Sequence, residues 1–311
     1  MPEKLKVLIT GGAGFIGSHV VDGLISRGYS VKVLDNLSTG NISNISGYLS
    51  KGMVELVEGD IRNLELVKKT IHGVSIVIHA AAITSVPFSL KNPEQTVDVN
   101  VGGTVKLLAS AIEARVEKFI FVSSCAVYGD PKFLPVKETH PTSPISPYAE
   151  SKTVAEHFTT GFSQRHLIKS VVLRLFNVYG PRQGVKEYSG VITRFFDCCN
   201  KGLPLTIYGD GSQTRDFIHV IDVTEAILNA SELEGAEGQT FNIGSGKPTS
   251  IQQLAQEVFK INCSLPKLAY ARPRPGDINH SYADISKAQQ FLKFKPKYTL
   301  ETGLRALLRE S

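Results

Sequence analysis

Tyr148 and Lys152 stand four residues apart in Tyr148-Ala149-Glu150-Ser151-Lys152, and a helix there puts a phenol and an ammonium on one face. Such a pair is a candidate general base. A phenol is a poor base at neutral pH, and lowering its pKa by about three units takes roughly 4 kcal/mol of preferential stabilisation of the phenolate. One cation about 4 Å away at an effective dielectric near 20 supplies an energy of that order. The spacing by itself more often marks a surface Tyr and Lys on a helix, and it is the setting that favours chemistry. Upstream, Ser123-Ser124-Cys125-Ala126-Val127-Tyr128-Gly129 follows the apolar run Phe119-Ile120-Phe121-Val122. The Ser124 hydroxyl therefore falls at the carboxyl end of a strand, the edge at which parallel sheets bind ligands.

A second constellation opens the chain. Val7-Leu8-Ile9 leads into Thr10-Gly11-Gly12-Ala13-Gly14-Phe15-Ile16-Gly17-Ser18-His19, with glycines at 11, 14 and 17 between a strand and the start of a helix. A pyrophosphate needs backbone N–H groups and the positive end of a helix dipole close to it, and a Cβ at Gly11 or Gly14 would hold that backbone away. Asp35 follows at the end of a second apolar run, Tyr29 to Leu34, where a carboxylate can accept from both hydroxyls of an adenosine ribose. The alternative is that Asp35 only caps a loop. Asn36 and Leu37 come next rather than Arg or Lys, leaving nothing to balance a 2′-phosphate, so the cofactor expected is NAD and not NADP. Its charged nicotinamide ring would add to the stabilisation of a Tyr148 phenolate.

Elements that could carry these groups alternate through the first 180 residues. Apolar runs at 5–9, 31–34, 54–57, 74–79, 118–123 and 171–175 read as strands. Helical spacing covers 16–27, 64–71, 99–114 and 148–166, with Gly28 and Gly73 as C-terminal stops. This is the form of βαβ crossovers. After Gly180-Pro181 turns, prolines and basic residues become dense, as in Arg272-Pro273-Arg274-Pro275-Gly276-Asp277. The fold expected is α/β: a Rossmann-type doubly wound parallel sheet and a smaller, loop-rich α/β substrate lobe. An NAD-binding domain over 1–180, with returning segments near 216–245, would precede a substrate lobe over 181–311.

The 311 residues can bury a full core, and 42% hydrophobic with 20% charged residues is an ordinary globular balance. No run approaches the roughly 20 apolar residues of a membrane span. The first strand starts too early for a secretory signal, so a cytoplasmic location is expected. Cys125, Cys198, Cys199 and Cys263 show no CxxC spacing and read as reduced thiols. A net charge of +5 from scattered basic residues points to an anionic small substrate and not to nucleic acid. His79 and His219 lie in apolar runs and read as packed, hydrogen-bonded side chains; no metal site is expected.

Taken together the motifs resemble the extended short-chain dehydrogenase/reductases and, within them, the nucleotide-sugar 4-epimerases. The resemblance runs over nearly the whole chain: TGGAGFIGSH (10–19), Asp35-Asn36, Asp60-Ile61, HAAA (79–82), Asn100, SSCAVYG (123–129), Tyr148 with Lys152, RLFNVYGPRQ (174–183), RDFIHV (215–220) and RPGD (274–277). It implies that Tyr148 takes the proton from the sugar O4 with Ser124 relaying and Lys152 holding the phenolate, while hydride passes from C4 to NAD. The resulting 4-keto sugar turns over and is reduced on its other face. It implies cofactor contacts from Gly11, Gly14, Phe15, Ile16, Gly17, Asp35, Asn36, Ser38, Gly40, Asp60, Ile61, Ala80, Ala81, Ala82, Asn100 and Phe176, besides Tyr148 and Lys152. For a UDP-sugar it implies Arg215, Arg274 and Asn177 at the diphosphate, Thr206 and Tyr208 at the uracil, Asp277 at the ribose, and Ser85, Ser124, Val191 and Ser281 lining the rest. A homodimer pairing helices near 92–114 and 148–166 is implied too.

Ser281 stands where members restricted to unacetylated sugars have a tyrosine, which points to UDP-N-acetylglucosamine and UDP-N-acetylgalactosamine beside UDP-glucose and UDP-galactose. Three alternatives stay open. A UDP-glucuronate 4-epimerase would turn Arg182, Lys186 or Arg194 to the uronate. A GDP-sugar 3,5-epimerase/reductase would use Cys125 as a proton shuttle, although it would require NADPH. A non-catalytic NAD sensor would keep the fold without turnover. Cys125 and Ala126 replace the acidic residues that 4,6-dehydratases and UDP-glucuronate decarboxylases carry after the serine, and those activities are set aside.

Overall fold

The strands form because each apolar run alternates between two buried faces, as a sheet covered by helices on both sides demands. In β1 (Lys6–Thr10), Val7 and Ile9 enter one core and Leu8 the other. The protein is described by a computed structural model for residues 5–184, 190–262, 267–273 and 276–310. After β1 come β2 (Ser30–Asp35), β3 (Val54–Glu58), β4 (Ile76–His79), β5 (Lys118–Ser124) and β6 (Lys169–Leu175). The helices among them are α1 (Phe15–Ser26), α2 (Ser46–Leu49), α3 (Leu64–Ile71), α4 (Val86–Lys91), α5 (Pro93–Val97), α6 (Thr104–Glu113) and α7 (Pro147–Gln164). The helix expected over 99–114 is α6 preceded by a π-turn, Asp98–Gly103, an irregularity that recurs at functional sites.

The second half adds β7 (Asn177–Tyr179), α8 (Val191–Asn200), β8 (Leu205–Tyr208), β9 (Thr214–His219), α9 (Val220–Glu232), β10 (Gln239–Ile243), β11 (Pro248–Ser250), α10 (Ile251–Asn262), β12 (Leu268–Ala271), α11 (Ser286–Leu292) and α12 (Leu300–Glu310). Seven strands make one parallel sheet in the order β10-β6-β5-β4-β1-β2-β3. This is the expected doubly wound Rossmann-type α/β fold. The order reverses between β1 and β4, which opens a crevice beyond their carboxyl ends. Helices α1, α9 and α11 cover one face, and α3, α6 and α7 the other.

A smaller α/β layer packs α8, α10 and α12 over β11-β9-β7 and the parallel pair β12-β8, with Phe195, Leu205, Ile207, Leu254 and Val258 at its core. The chain crosses back repeatedly. Strand β10 hydrogen-bonds to β6, and Ala288, Leu292 and Phe294 enter the main core. The turn-rich composition just before α11 hides that last return in the sequence. Among the described residues no helix is long and apolar enough to cross a membrane.

Candidate active site

The glycine turn sits in the β1/β4 crevice. Gly11 has φ +73°, and a Cβ on it would lie 2.9 Å from the Ala81 nitrogen and 3.0 Å from the Ala81 Cα. A Cβ on Gly17 would collide with the Gly11 carbonyl oxygen, and one on Gly14 would lie 3.1 Å from it. The glycines at 11 and 17 thus let the turn, the helix and Ala80-Ala81 close on one another. Helix α1 begins after Gly14 with no capping side chain and no acidic residue in its first turn. Its first amides, from Phe15, Ile16 and Gly17, suit a pyrophosphate.

Asp35 meets both sequence readings. Its Oδ2 accepts from Ala13 N at 2.9 Å and its Oδ1 from Leu37 N at 2.9 Å, so it caps the turn, and each oxygen keeps a lone pair for a ribose hydroxyl. Gly40 lies over it, since a Cβ there would be 3.0 Å from both carboxylate oxygens. Alongside, the Asn36 amide donates to Asp60 at 3.0 Å and its Oδ1 accepts from Ser38 N and Oγ. Arg62, hydrogen-bonded to Asp60, pulls that carboxyl down to about 2. Ile61 packs against Gly103.

Behind the crevice runs a chain the sequence does not reveal. Ala81 N donates to Thr10 Oγ1 at 3.2 Å; Thr10 Oγ1 lies 2.7 Å from His79 Nδ1; His79 Nε2 lies 2.8 Å from Thr104 Oγ1, which donates to the Asn100 carbonyl at 2.6 Å. Since Thr104 spends its proton on Asn100, His79 donates from Nε2, and in the neutral ring Nδ1 accepts from Thr10. Burial, with the Lys152 charge adding, pushes His79 down to about 3. Asn100, expected as a cofactor contact, has its side chain fully engaged: it donates to Ile83 O and Ser151 Oγ and accepts from Ile83 N. It positions backbone. The Phe176 ring likewise packs with Val127, Tyr128 and Val136.

Ser124 ends β5 and accepts from Ala126 N at 3.2 Å. Ser146 caps α7 and Pro147 opens it, so Tyr148 enters at the first turn. Ser89 Oγ accepts from Tyr148 N at 3.1 Å, and Ser151 Oγ donates to Tyr148 O at 2.8 Å. The phenol hydrogen-bonds Ser124, which lowers its pKa, but burial outweighs this and pushes Tyr148 up to about 12. Burial drives Lys152 the other way, down to about 7, with Glu156 opposing. Lys152 Nζ donates to Val122 O at 2.6 Å and stands 4.2 Å over the Phe121 ring. Desolvation is the largest influence on both groups.

On the smaller layer, Arg215 and Asp277 face each other at 2.5 Å, a pairing that separate roles at diphosphate and ribose did not anticipate. Asn177 is in register with Phe217, two residues beyond Arg215. Thr206 and Tyr208 lie on β8 beside Ala269 and Ala271 of β12. Val191 starts α8, and Ser85 caps α4 through Phe88 N. Ser281 is buried, its amide donating to Thr214 O at 3.2 Å beside Arg215. Arg274, Lys186 and Cys263 lie outside the described residues.

Arg182 is paired with Asp22 of α1 at 2.8 Å. Desolvation pushes the half-buried Cys125 thiol up to about 12, with Asp216 adding and Arg215 opposing. His219 is packed as expected: it stacks on Tyr298 and accepts from Ile221 N. Sequence reasoning missed Ser123, Glu156 and Arg174. Glu156 was findable, since it repeats the four-residue step from Tyr148 to Lys152.

Residues 7–244 match the model of the NAD dependent epimerase/dehydratase family. A Methanocaldococcus jannaschii protein, provisionally named UDP-glucose 4-epimerase, is 41% identical over 304 residues, 97% of each chain. The solved UDP-glucose 4-epimerase of Thermotoga maritima with UDP-glucose superposes with TM-score 0.93 at 37% identity, covering 98% of each chain. The UDP-N-acetylglucosamine 4-epimerase of Methanobrevibacter ruminantium with UDP-N-acetylmuramic acid gives 0.94 at 34%, covering 99% of this chain and 98% of that one.

Proposed function

The chain belongs to the NAD-dependent epimerase/dehydratase family, and on that premise we propose that it inverts C4 of UDP-hexoses through a transient 4-keto sugar. NAD, when bound, supplies the hydride acceptor and a positively charged ring. The residues fitted to hold it are the amides opening α1, Asp35 and the Asn36–Ser38–Asp60 cluster. The observation that carries the reading is the Ser124–Tyr148–Lys152 cluster at the carboxyl end of β5, one strand from the β1/β4 crevice.

Tyr148 and Lys152 stand one turn apart on α7, and on this reading they share a proton when cofactor and substrate are bound. With Lys152 held down to about 7 and Tyr148 up to about 12, the two retain a single proton between them from about pH 7 upward. A positive charge at the site favours phenolate with ammonium over phenol with amine. In that form Tyr148 accepts the O4 proton, Ser124 holds the oxygen by hydrogen bond, and the C4 hydrogen leaves and returns as hydride on opposite faces. The hexose must turn meanwhile, so binding energy belongs on the nucleotide. Residues 1–180 and the returning segments near 216–245 take the cofactor, and Arg215, Asn177, Thr206, Tyr208 and Asp277 of the smaller layer take UDP.

Small Ser281, beside Arg215, leaves room for an acetamido group; a tyrosine there would overpack the pocket at roughly 1–3 kcal/mol. The paired Arg182 argues against the glucuronate reading, and Asp35, with no cation beside it for a 2′-phosphate, against the reductase. The test compares kcat/KM for C4 inversion of UDP-glucose, UDP-N-acetylglucosamine and UDP-glucuronate. Both uncharged series should turn over, and Ser281→Tyr should cut the acetylated one at least about tenfold while sparing the plain one, as a loss of that energy requires. Preference for the glucuronate, or equal loss on both series, would overturn the assignment.

A further inference from the structure

We propose that Glu156, gripped by Arg174 and Ser123, is the positioning residue of this centre: its carboxylate keeps the Lys152 ammonium charged and holds the end of β5 in place against α7. Tyr148, Lys152 and Glu156 follow one another at four-residue steps on α7. Lys152 is 4% exposed and Glu156 3%. The Glu156 Oε1 accepts from Ser123 Oγ at 2.5 Å and from Arg174 Nε at 3.0 Å, and its Oε2 accepts from Arg174 Nη2 at 2.6 Å. Helix α7 therefore takes hold of two consecutive residues of β5, Lys152 on the Val122 carbonyl and Glu156 on the Ser123 hydroxyl. The next residue is Ser124, which is thereby fixed at the Tyr148 phenol.

Arg174, in register with Ser123, continues to the Tyr128 hydroxyl at 2.9 Å, and Tyr128 to Asn242 at 2.7 Å. Stability alone does not account for such a pair, because apolar residues of equal volume often serve as well. Lys152 is related to Glu156 on its own helix, to the Val122 carbonyl and Phe121 ring of β5, and to His79 of β4. Burial keeps His79 neutral, so Glu156, paired with Arg174, is the anion beside Lys152. Removing its charge lowers the pH at which the Lys152–Tyr148 unit sheds its first proton; removing the Arg174 charge raises it.

The kinetic readout rests on the epimerase reading, so a second readout needs no turnover. On NAD-loaded protein, kcat is followed against pH for wild type, Glu156→Gln, Glu156→Asp and Arg174→Gln. Tm is followed against pH for the same variants with Lys152 and with Lys152→Met. The rise in kcat should move to lower pH by about one unit or more in Glu156→Gln, as one charge in contact range does. It should move upward in Arg174→Gln and stay near wild type in Glu156→Asp. The pH at which Tm begins to climb should shift the same way, and the shift should vanish with Lys152→Met. An unmoved kcat rise with a lowered Tm would reduce Glu156 to a structural residue, and a Tm shift surviving Lys152→Met would assign it to another group. Should Glu156→Gln fail to fold, the opposite shift of Arg174→Gln decides. A wild type inactive on every UDP-hexose would count against the function, while the thermal curves would still read Lys152.

Discussion

Burial acts on Tyr148 and Lys152 in opposite directions, and the two shifts together describe a base. A phenol near 12 would be inert on its own, and an amine near 7 would be a weak cation. As a pair holding one proton they become a phenolate whenever positive charge is nearby. Replacing Tyr148 with Phe removes the proton acceptor while leaving the Ser89 and Ser151 hydrogen bonds to its backbone untouched. Calorimetric binding of NAD and UDP should survive, and kcat should fall at least about 10²-fold, the usual size of a general-base contribution. A variant that keeps wild-type kcat would take Tyr148 out of the mechanism.

At the scale of elements, β1, β4 and α6 are joined by the neutral His79 ring, and its neutrality has a measurable consequence. An unfolded histidine titrates near 6.5, whereas folded His79 is held down to about 3. As pH falls the unfolded chain takes the proton first, so the contribution to stability is whole above about 6.5 and is lost progressively toward 3. The Tm of wild type should drop across that window, and the drop should be smaller in His79→Gln; equal slopes would place the loss elsewhere. The strands, the crossover helices and the glycine turn were legible because their signals are local: alternating apolar runs, spacing, and Gly where a Cβ finds no room. The His79 chain and the Glu156–Arg174 pair were not, because their partners lie 69, 25, 33 and 18 residues apart and only the fold brings them together. The Arg215–Asp277 pair hid for the same reason. The late return of α11 hid behind a turn-rich stretch that reads as loop.

At the scale of the whole molecule, Asp216 ties the smaller layer to the sheet. Fully buried at the middle of β9, it accepts from Ser245 N and Oγ, Gly246 N and Ala283 N, joining the segment after β10 to the one before α11. The pairing of helices near 92–114 and 148–166 between two copies, where Val97 and Phe158 are exposed, is open to a direct test. Two copies should meet there: light scattering should give twice the chain mass, and Phe158→Arg should halve it, while a monomeric wild type would refute the pairing. On this mechanism the C4 hydrogen leaves and returns as hydride within one site, and labelled substrate reads that transfer out. With UDP-hexose deuterated at C4, the epimer should form with its deuterium retained and no solvent hydrogen at that carbon. Loss of the label to water, or inversion at another carbon, would contradict the account.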